Sequence, residues 1–207
     1  MRIAGIGALG LCLPFLAAGA AASPVGDAVT LFGQKRYAEA RAVLEPVVAS
    51  EPANAEASYY LGMSLLRIGG PSSLDASRPW LAKATKLEPD NEGYLADYAG
   101  VCLLLADRDS SFSLALEGRD AMSRAIAANP ADLAACEGLM RFYAKAPWPL
   151  GNADRALALA AQIGRADPKR GAAAYRSIQG TFERNGRTAE AEAASKAAQS
   201  LAQVPPH

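Results

Sequence analysis

Apolar residues occur along the chain in long alanine- and leucine-rich stretches, separated by short polar breaks. Four of these breaks are alike, because each contains a proline that follows an acidic residue or asparagine. The prolines are Pro52, Pro89, Pro130 and Pro168, at intervals of 37, 41 and 38 residues. Proline cannot donate a backbone hydrogen bond, and it pushes the preceding residue out of the helical region. Each break therefore predicts the end of one helix and the start of the next.

The positions that precede each proline also repeat. The residue twelve positions earlier is small, and the residues eight and five positions earlier are apolar. These three positions lie on one face of a helix, so they predict an amphipathic second helix with a small residue where a neighbouring helix comes closest. The small residues are Ala40, Ser77, Gly118 and Ala156, and the apolar ones are Leu44, Leu81, Met122, Ala160, Val47, Ala84, Ala125 and Ile163.

These motifs resemble the tetratricopeptide repeat family, whose unit is a pair of antiparallel helices. The segment Tyr37-Ala38-Glu39-Ala40 matches the family pattern of the second helix, and Tyr60-Leu61-Gly62 matches that of the first. The resemblance implies an all-α fold, an α/α right-handed superhelix or solenoid of antiparallel helix pairs. Residues 23–203 would form about four repeats plus a C-terminal capping helix pair.

Three segments between helices are longer than the family pattern. They contain Gly69-Gly70-Pro71, the residues around Asp107–Ser113, and the segment from Ala146 to Asn152. We expect extended turns at all three places. The third contains Pro147, Trp148 and Pro149, which predicts a rigid loop with an aromatic tip and a second contact site for a partner.

The two ends of the chain differ from the repeats. Arg2 is followed by an uncharged stretch that ends in Ala20-Ala21-Ala22, which is typical of a cleaved signal peptide over residues 1–22. We therefore expect a periplasmic protein with no membrane insertion after cleavage; an N-terminally anchored or a secreted protein is the alternative. Residues 204–207 are expected to be a disordered tail.

Composition narrows the choice of partner. The chain contains 47 alanines among 207 residues, which favours helices that approach closely. The 21 basic and 21 acidic residues cancel. A chain without net charge is not expected to bind nucleic acid or an anionic membrane surface.

Few residues could carry catalytic chemistry. The only histidine is His207, in the expected tail, and no glycine-rich phosphate loop is present. Cys102 and Cys136 exclude a CxxC motif. Their offset along neighbouring helices is about 10 Å, which favours two buried free thiols over a disulfide, the alternative that remains open. We expect no cofactor, no metal and no enzymatic activity.

The family resemblance also implies a binding groove, since the first helices of the repeats line the inner surface. Its register places the residues Tyr59, Met63, Arg67, Glu137, Arg141 and Lys145 in this groove. We expect the groove to hold a peptide or a helix of a protein partner, so that the chain acts as a non-catalytic scaffold or adaptor of the bacterial envelope. The alternatives are an accessory module of an envelope or carbohydrate-processing enzyme, and a structural solenoid that associates with itself as a homo-oligomer.

Overall fold

The computed structural model describes residues 23–203, and this part of the chain forms ten α-helices and no strand. The all-α prediction is confirmed. The helices are α1 (Pro24–Gly33), α2 (Tyr37–Ser50), α3 (Ala55–Ile68), α4 (Ser73–Leu87), α5 (Glu92–Asp109), α6 (Phe112–Ala128), α7 (Leu133–Lys145), α8 (Ala153–Ala166), α9 (Pro168–Arg184) and α10 (Thr188–Ala202).

The ten helices form five consecutive pairs. Each helix packs against the next one along the chain, and first helices of neighbouring pairs also touch, as α1 does with α3 and α7 does with α5 and α9. The first helices therefore lie together on one side of the row of pairs. This is the predicted solenoid arrangement, and the side that carries α1, α3, α5, α7 and α9 is called the inner face below.

Polar side chains begin most of the helices at the predicted breaks. The residue two positions after the proline accepts a hydrogen bond from a backbone N–H in the first helical turn: Asn54 from Ala57 at 2.9 Å, and Asn91 from Tyr94 at 3.2 Å. Such caps satisfy N–H groups that have no partner inside the helix. At the last break the cap is Asp167, and Pro168 itself is the first residue of α9.

The twelve positions that repeat before each proline are all buried. Ala40, Ser77 and Ala156 have no exposed surface, and Gly118 is also buried. A methyl group on Gly118 would lie 2.8 Å from the side chain of Leu103, because α5 crosses α6 at this point. The small residues are therefore the contact points between paired helices, as predicted.

The third pair corrects one expectation. The extra residues around Asp107–Ser113 do not form an extended turn; they lengthen α5 to 18 residues and α6 to 17, whereas α7 has 13 and α8 has 14. Leucine and alanine continue the helix of α5 until Ser110, which takes a left-handed conformation, and Ser111 then caps α6. The other two extended turns are present, at residues 69–72 and 146–152.

Two further expectations concern the cysteines and the ends of the chain. Cys102 on α5 and Cys136 on α7 are buried free thiols, as predicted. The predicted signal peptide (residues 1–22) and the predicted disordered tail (residues 204–207) lie outside the described residues. Among residues 23–203, no helix has both the length and the apolar character needed to cross a bilayer.

Candidate functional site

Aromatic side chains run across the first three helices of the inner face. The ring of Tyr59 on α3 stacks on that of Tyr94 on α5, with centroids 4.3 Å apart, and meets the ring of Tyr60 edge-on at 5.1 Å. Tyr60 in turn contacts Phe32 on α1, with centroids 5.3 Å apart. These rings are half-buried. They connect α1, α3 and α5 through side chains of the kind that stabilise both cores and interfaces.

The Tyr59 hydroxyl donates a hydrogen bond of 2.5 Å to the carboxylate of Asp97 on α5. Burial raises the pKa of Asp97, although the hydrogen bond from Tyr59 and the positive charge of Arg67 act in the opposite direction. Burial, together with the bond to Asp97, also raises the pKa of Tyr59 well above its ordinary value. The phenol therefore keeps its proton and acts as a donor, which is a structural role.

Two of the predicted groove residues on α3 differ sharply in exposure. Arg67 is exposed, but only 4% of Met63 is accessible to solvent. The placement of Met63 in an exposed groove was therefore wrong. Met63 belongs to the core cluster that contains Leu81 and Leu95, whereas Arg67, in the last turn of α3, lies outside this cluster.

The three predicted groove residues on α7 are differently engaged. Glu137 forms an ion pair of 2.5 Å with Arg170 on α9, and Lys145 forms one of 2.6 Å with Asp107 on α5. Arg141, one helical turn before Lys145, is exposed and forms no ion pair within residues 23–203. Glu137 and Lys145 thus connect neighbouring first helices, whereas Arg141 presents its charge to solvent.

An apolar cleft of about 660 Å³ opens beside Arg141. It lies between the lengthened pair α5 and α6 on one side and α7 with the following loop on the other, and we call it the α5–α7 cleft. Asp107, Arg141 and Lys145 form its charged rim. The apolar lining includes Leu103, Leu104, Ala106, Phe112, Ala115, Met122, Phe142, Ala146, Pro147 and Leu150, together with the glycines Gly100 and Gly138.

Two large apolar side chains that line this cleft are exposed to solvent. Leu104 is 57% exposed and Phe112 is 54% exposed, and both line it. Trp148, 91% exposed, follows the cleft residue Pro147 in the chain but does not itself line the cleft. The sequence pattern did not identify Leu104 or Phe112. A signal was present, however: in Leu103-Leu104-Leu105 three successive residues are apolar, and a helix cannot bury all three on one face.

The loop at residues 146–152 holds Trp148 in the exposed position that its sequence had suggested. Leu150 is buried, and the N–H of Asn152 donates a hydrogen bond of 2.9 Å to the carbonyl of Tyr143. A methyl group on Gly151 would lie 1.9 Å from the carbonyl oxygen of Ala146, so this turn requires glycine. Pro147, Trp148 and Pro149 project from this anchored base, and Pro147 and Trp148 border a second, smaller depression of about 420 Å³ with Asn185 and Arg187.

Within residues 23–203, no three side chains of His, Cys, Asp or Glu are grouped so that they could hold a metal ion. The surface that these observations define consists of helix faces, apolar side chains and a few charges. Such a surface can bind another molecule by shape, burial and ion pairing.

The chain has the fold of a tetratricopeptide repeat solenoid, as the sequence motifs had indicated. By sequence it matches no protein-family model and no curated protein. Among solved structures it is similar to MamA, with 19% identity and a TM-score of 0.69 over 89% of this chain and 96% of that one. MamA from Desulfovibrio magneticus gives 15% identity and a TM-score of 0.66, covering 87% and 93% of the two chains.

A third similar structure is YrrB, which is described as a TPR protein with an unusual peptide-binding site. Its TM-score is 0.70 at 17% identity, and the match covers 86% of this chain and 84% of YrrB. At these identities the similarity establishes the fold of the chain and leaves its function to be argued from its own residues.

Proposed function

We propose that the chain is a non-catalytic protein-binding scaffold or adaptor, and that a peptide or helix of its partner binds on the inner face with apolar side chains in the α5–α7 cleft. The observation that carries this proposal is the exposure of Leu104 and Phe112, which both line the cleft. Contiguous exposed apolar surface on a folded protein commonly marks an interaction site.

The cleft is also preformed in the unbound protein. Its walls are helices that pack through buried residues such as Leu105 and Met140, and the Lys145–Asp107 ion pair joins the two walls at the rim. A preformed surface loses little conformational entropy on binding, which favours affinity. YrrB, which has the same fold, is described as having a peptide-binding site.

We place this scaffold in the envelope of a bacterium, on the basis of its N-terminal sequence. Residues 1–22 have the order of a signal peptide: a basic residue, an apolar stretch and small residues before Ser23. N-terminal sequencing of the protein recovered from a periplasmic fraction tests this part of the proposal. A mature protein that begins at or near Ser23 would support it, and a protein retained in the cytoplasm with Met1 intact would refute it.

The binding role can be tested with a photo-crosslinking amino acid placed in the full chain. We expect benzoylphenylalanine at position 104 to crosslink a discrete protein partner in the cells that produce the chain. The matched control is position 87, because Leu87 is also an exposed apolar residue, 38% accessible, but lies on α4 outside the cleft. Crosslinks at both positions, or at neither, would contradict a binding site in the cleft.

The same experiment separates two classes of function. A crosslink to another copy of this chain, together with a dimer mass in light scattering, would favour the self-associating solenoid over the scaffold. A second control introduces Arg141→Glu into the protein that carries benzoylphenylalanine at position 104. If Arg141 contacts the partner, this change should weaken the crosslink while the helical circular dichroism signal stays the same.

A further inference from the structure

We propose that the segment held in the α5–α7 cleft is an amphipathic α-helix of a partner protein, with a carboxylate beside its apolar stripe that pairs with Arg141. This inference rests on the proposed function, since it names the chemistry of the ligand for the same site. Three properties of the cleft support it: its dimensions, the chemistry of its walls and the charges on its rim.

The dimensions fit about two turns of a helix. Along α5 the cleft extends from Gly100 to Asp107, and along α7 it extends from Gly138 to Lys145. Each wall is therefore about 10 Å long, at about 1.5 Å per helical residue. A partner helix of the same length presents apolar side chains at positions i, i+3 or i+4, and i+7. The volume of about 660 Å³ has room for several such side chains.

The chemistry of the walls favours a helix over an extended peptide. An extended segment carries backbone N–H and C=O groups that need hydrogen-bond partners when they are buried. Most of the lining belongs to helices α5, α6 and α7, whose central backbone groups are paired within each helix, and the side chains that line the cleft are mainly apolar. A helical partner satisfies its own backbone and buries only side chains.

The charges on the rim indicate which charge the partner carries at this site. Lys145 and Asp107 pair with each other across the cleft, so together they add no net charge. Arg141 forms no ion pair within residues 23–203, and a bound partner would cover its guanidinium group. A covered cation without an anion is costly, and guanidinium pairs with carboxylate in a favourable two-point geometry. The partner is therefore acidic beside its apolar stripe.

A lipid with an acyl chain and an anionic headgroup would also combine apolar and acidic groups. The shape of the site favours the helix. Leu104 and Phe112 remain more than half exposed, so the cleft is an open trough along the surface and does not enclose its ligand as an acyl chain requires.

Phage display tests the inference. A random library of 16-residue peptides is selected for binding to the purified protein, which is produced from the full-length sequence. We expect the enriched peptides to have apolar residues at helical spacing with a neighbouring Asp or Glu. Leu104→Glu should abolish their binding. Arg141→Glu should weaken it at least about tenfold, and selection on that variant should enrich Lys or Arg in place of the acid. The matched controls are Leu87→Glu and Lys86→Glu, two similar changes on α4, outside the cleft.

The outcomes distinguish the two levels of the proposal. One outcome is that binding of the selected peptides depends on Leu104, but the peptides show no preference for acidic residues or are extended when bound, as judged by circular dichroism. This outcome would overturn the proposed ligand chemistry and would leave the scaffold function intact. No enrichment above background, or enrichment insensitive to Leu104→Glu, would remove the cleft as a peptide site altogether. A lipid that copurifies with the wild type in native mass spectrometry and is lost in Leu104→Glu would replace the helix as the ligand.

Discussion

The Tyr59 hydroxyl and the Asp97 carboxylate, 38 positions apart in the chain, are joined by a hydrogen bond of 2.5 Å. Tyr59 lies on α3 and Asp97 on α5, so the bond connects the first helices of the second and third pairs. The stacking of Tyr59 on Tyr94 at 4.3 Å adds a second contact between the same two helices. Because this link joins separate repeats, its removal should reduce the stability of the whole solenoid.

We therefore expect Tyr59→Phe to lower the free energy of unfolding by about 1–2 kcal/mol, since it leaves a partly buried carboxylate without its donor. Urea denaturation followed by circular dichroism measures the change. Tyr37→Phe is the matched control: it removes a hydroxyl that makes no hydrogen bond within residues 23–203, on a ring that packs edge-on against Phe32. An equal loss in both variants would show that the Tyr59–Asp97 bond contributes nothing specific.

Asp97 should also make stability depend on pH. Its pKa in the folded protein is raised above the ordinary value of 3.8 by burial. The folded state then binds more protons than the unfolded state between these two pKa values, and stability falls as pH rises through the window. Asp97→Asn removes the charge. We expect this variant to have a higher Tm than the wild type at pH 7, with the difference shrinking below the folded pKa. A lower Tm at pH 7 would mean that the Tyr59 and Arg67 interactions outweigh burial.

The contact between the fourth and fifth pairs depends on two glycines. A methyl group on Gly171 of α9 would lie 2.2 Å from the Cα atom of Gly164 on α8. Because the obstacle is backbone, Gly171→Ala should destabilise the protein by about 3 kcal/mol. Gly180 lies on the same helix, where the nearest atom to an added methyl group is Nη1 of Arg184 at 3.5 Å. Gly180→Ala should instead stabilise by about 0.5–1 kcal/mol, through helix propensity alone. Chemical denaturation of both variants provides the comparison.

The two cysteines should be unreactive in the folded protein. Cys102 and Cys136 are fully buried, and burial raises the pKa of both thiols, so little thiolate forms at neutral pH. We expect Ellman's reagent at pH 7.5 to label both thiols rapidly in denaturant and at least about a hundredfold more slowly without it, because native labelling requires local opening. Rapid labelling of one thiol under native conditions would indicate that its pair of helices opens independently.

Trp148 should matter for contact with a partner and not for folding. With 91% of its surface exposed, its replacement by Ala should change the free energy of unfolding by less than about 0.5 kcal/mol. Acrylamide should quench its fluorescence strongly, and a partner that covers the loop should reduce that quenching. The measurement uses a Trp80→Phe background, because Trp80 is half-buried and would add a second signal. Unchanged quenching in the complex would exclude the Trp148 loop as a contact site.

The order of the helix pairs and much of the core were determined by the sequence alone. Proline removes a backbone donor, and Asn or Asp two residues later caps the next helix, as Asn54 and Asn91 do. Both effects act within one helical turn, so they can be read without knowledge of the rest of the fold. The small and apolar positions before each proline were likewise predictable, because the 3.6-residue period places them on one face.

Only the tertiary structure decided what covers each face and what remains open. Met63 has the same spacing from Tyr59 as Arg67 has from Met63, yet residues from other helices bury Met63 and leave Arg67 exposed. The lengthening of α5 and α6 created a wall that a family pattern with shorter helices does not contain. The cleft with Leu104, Phe112 and Arg141 brings together three helices and a loop. Its shape depends on packing between residues distant in the chain, which local periodicity does not encode.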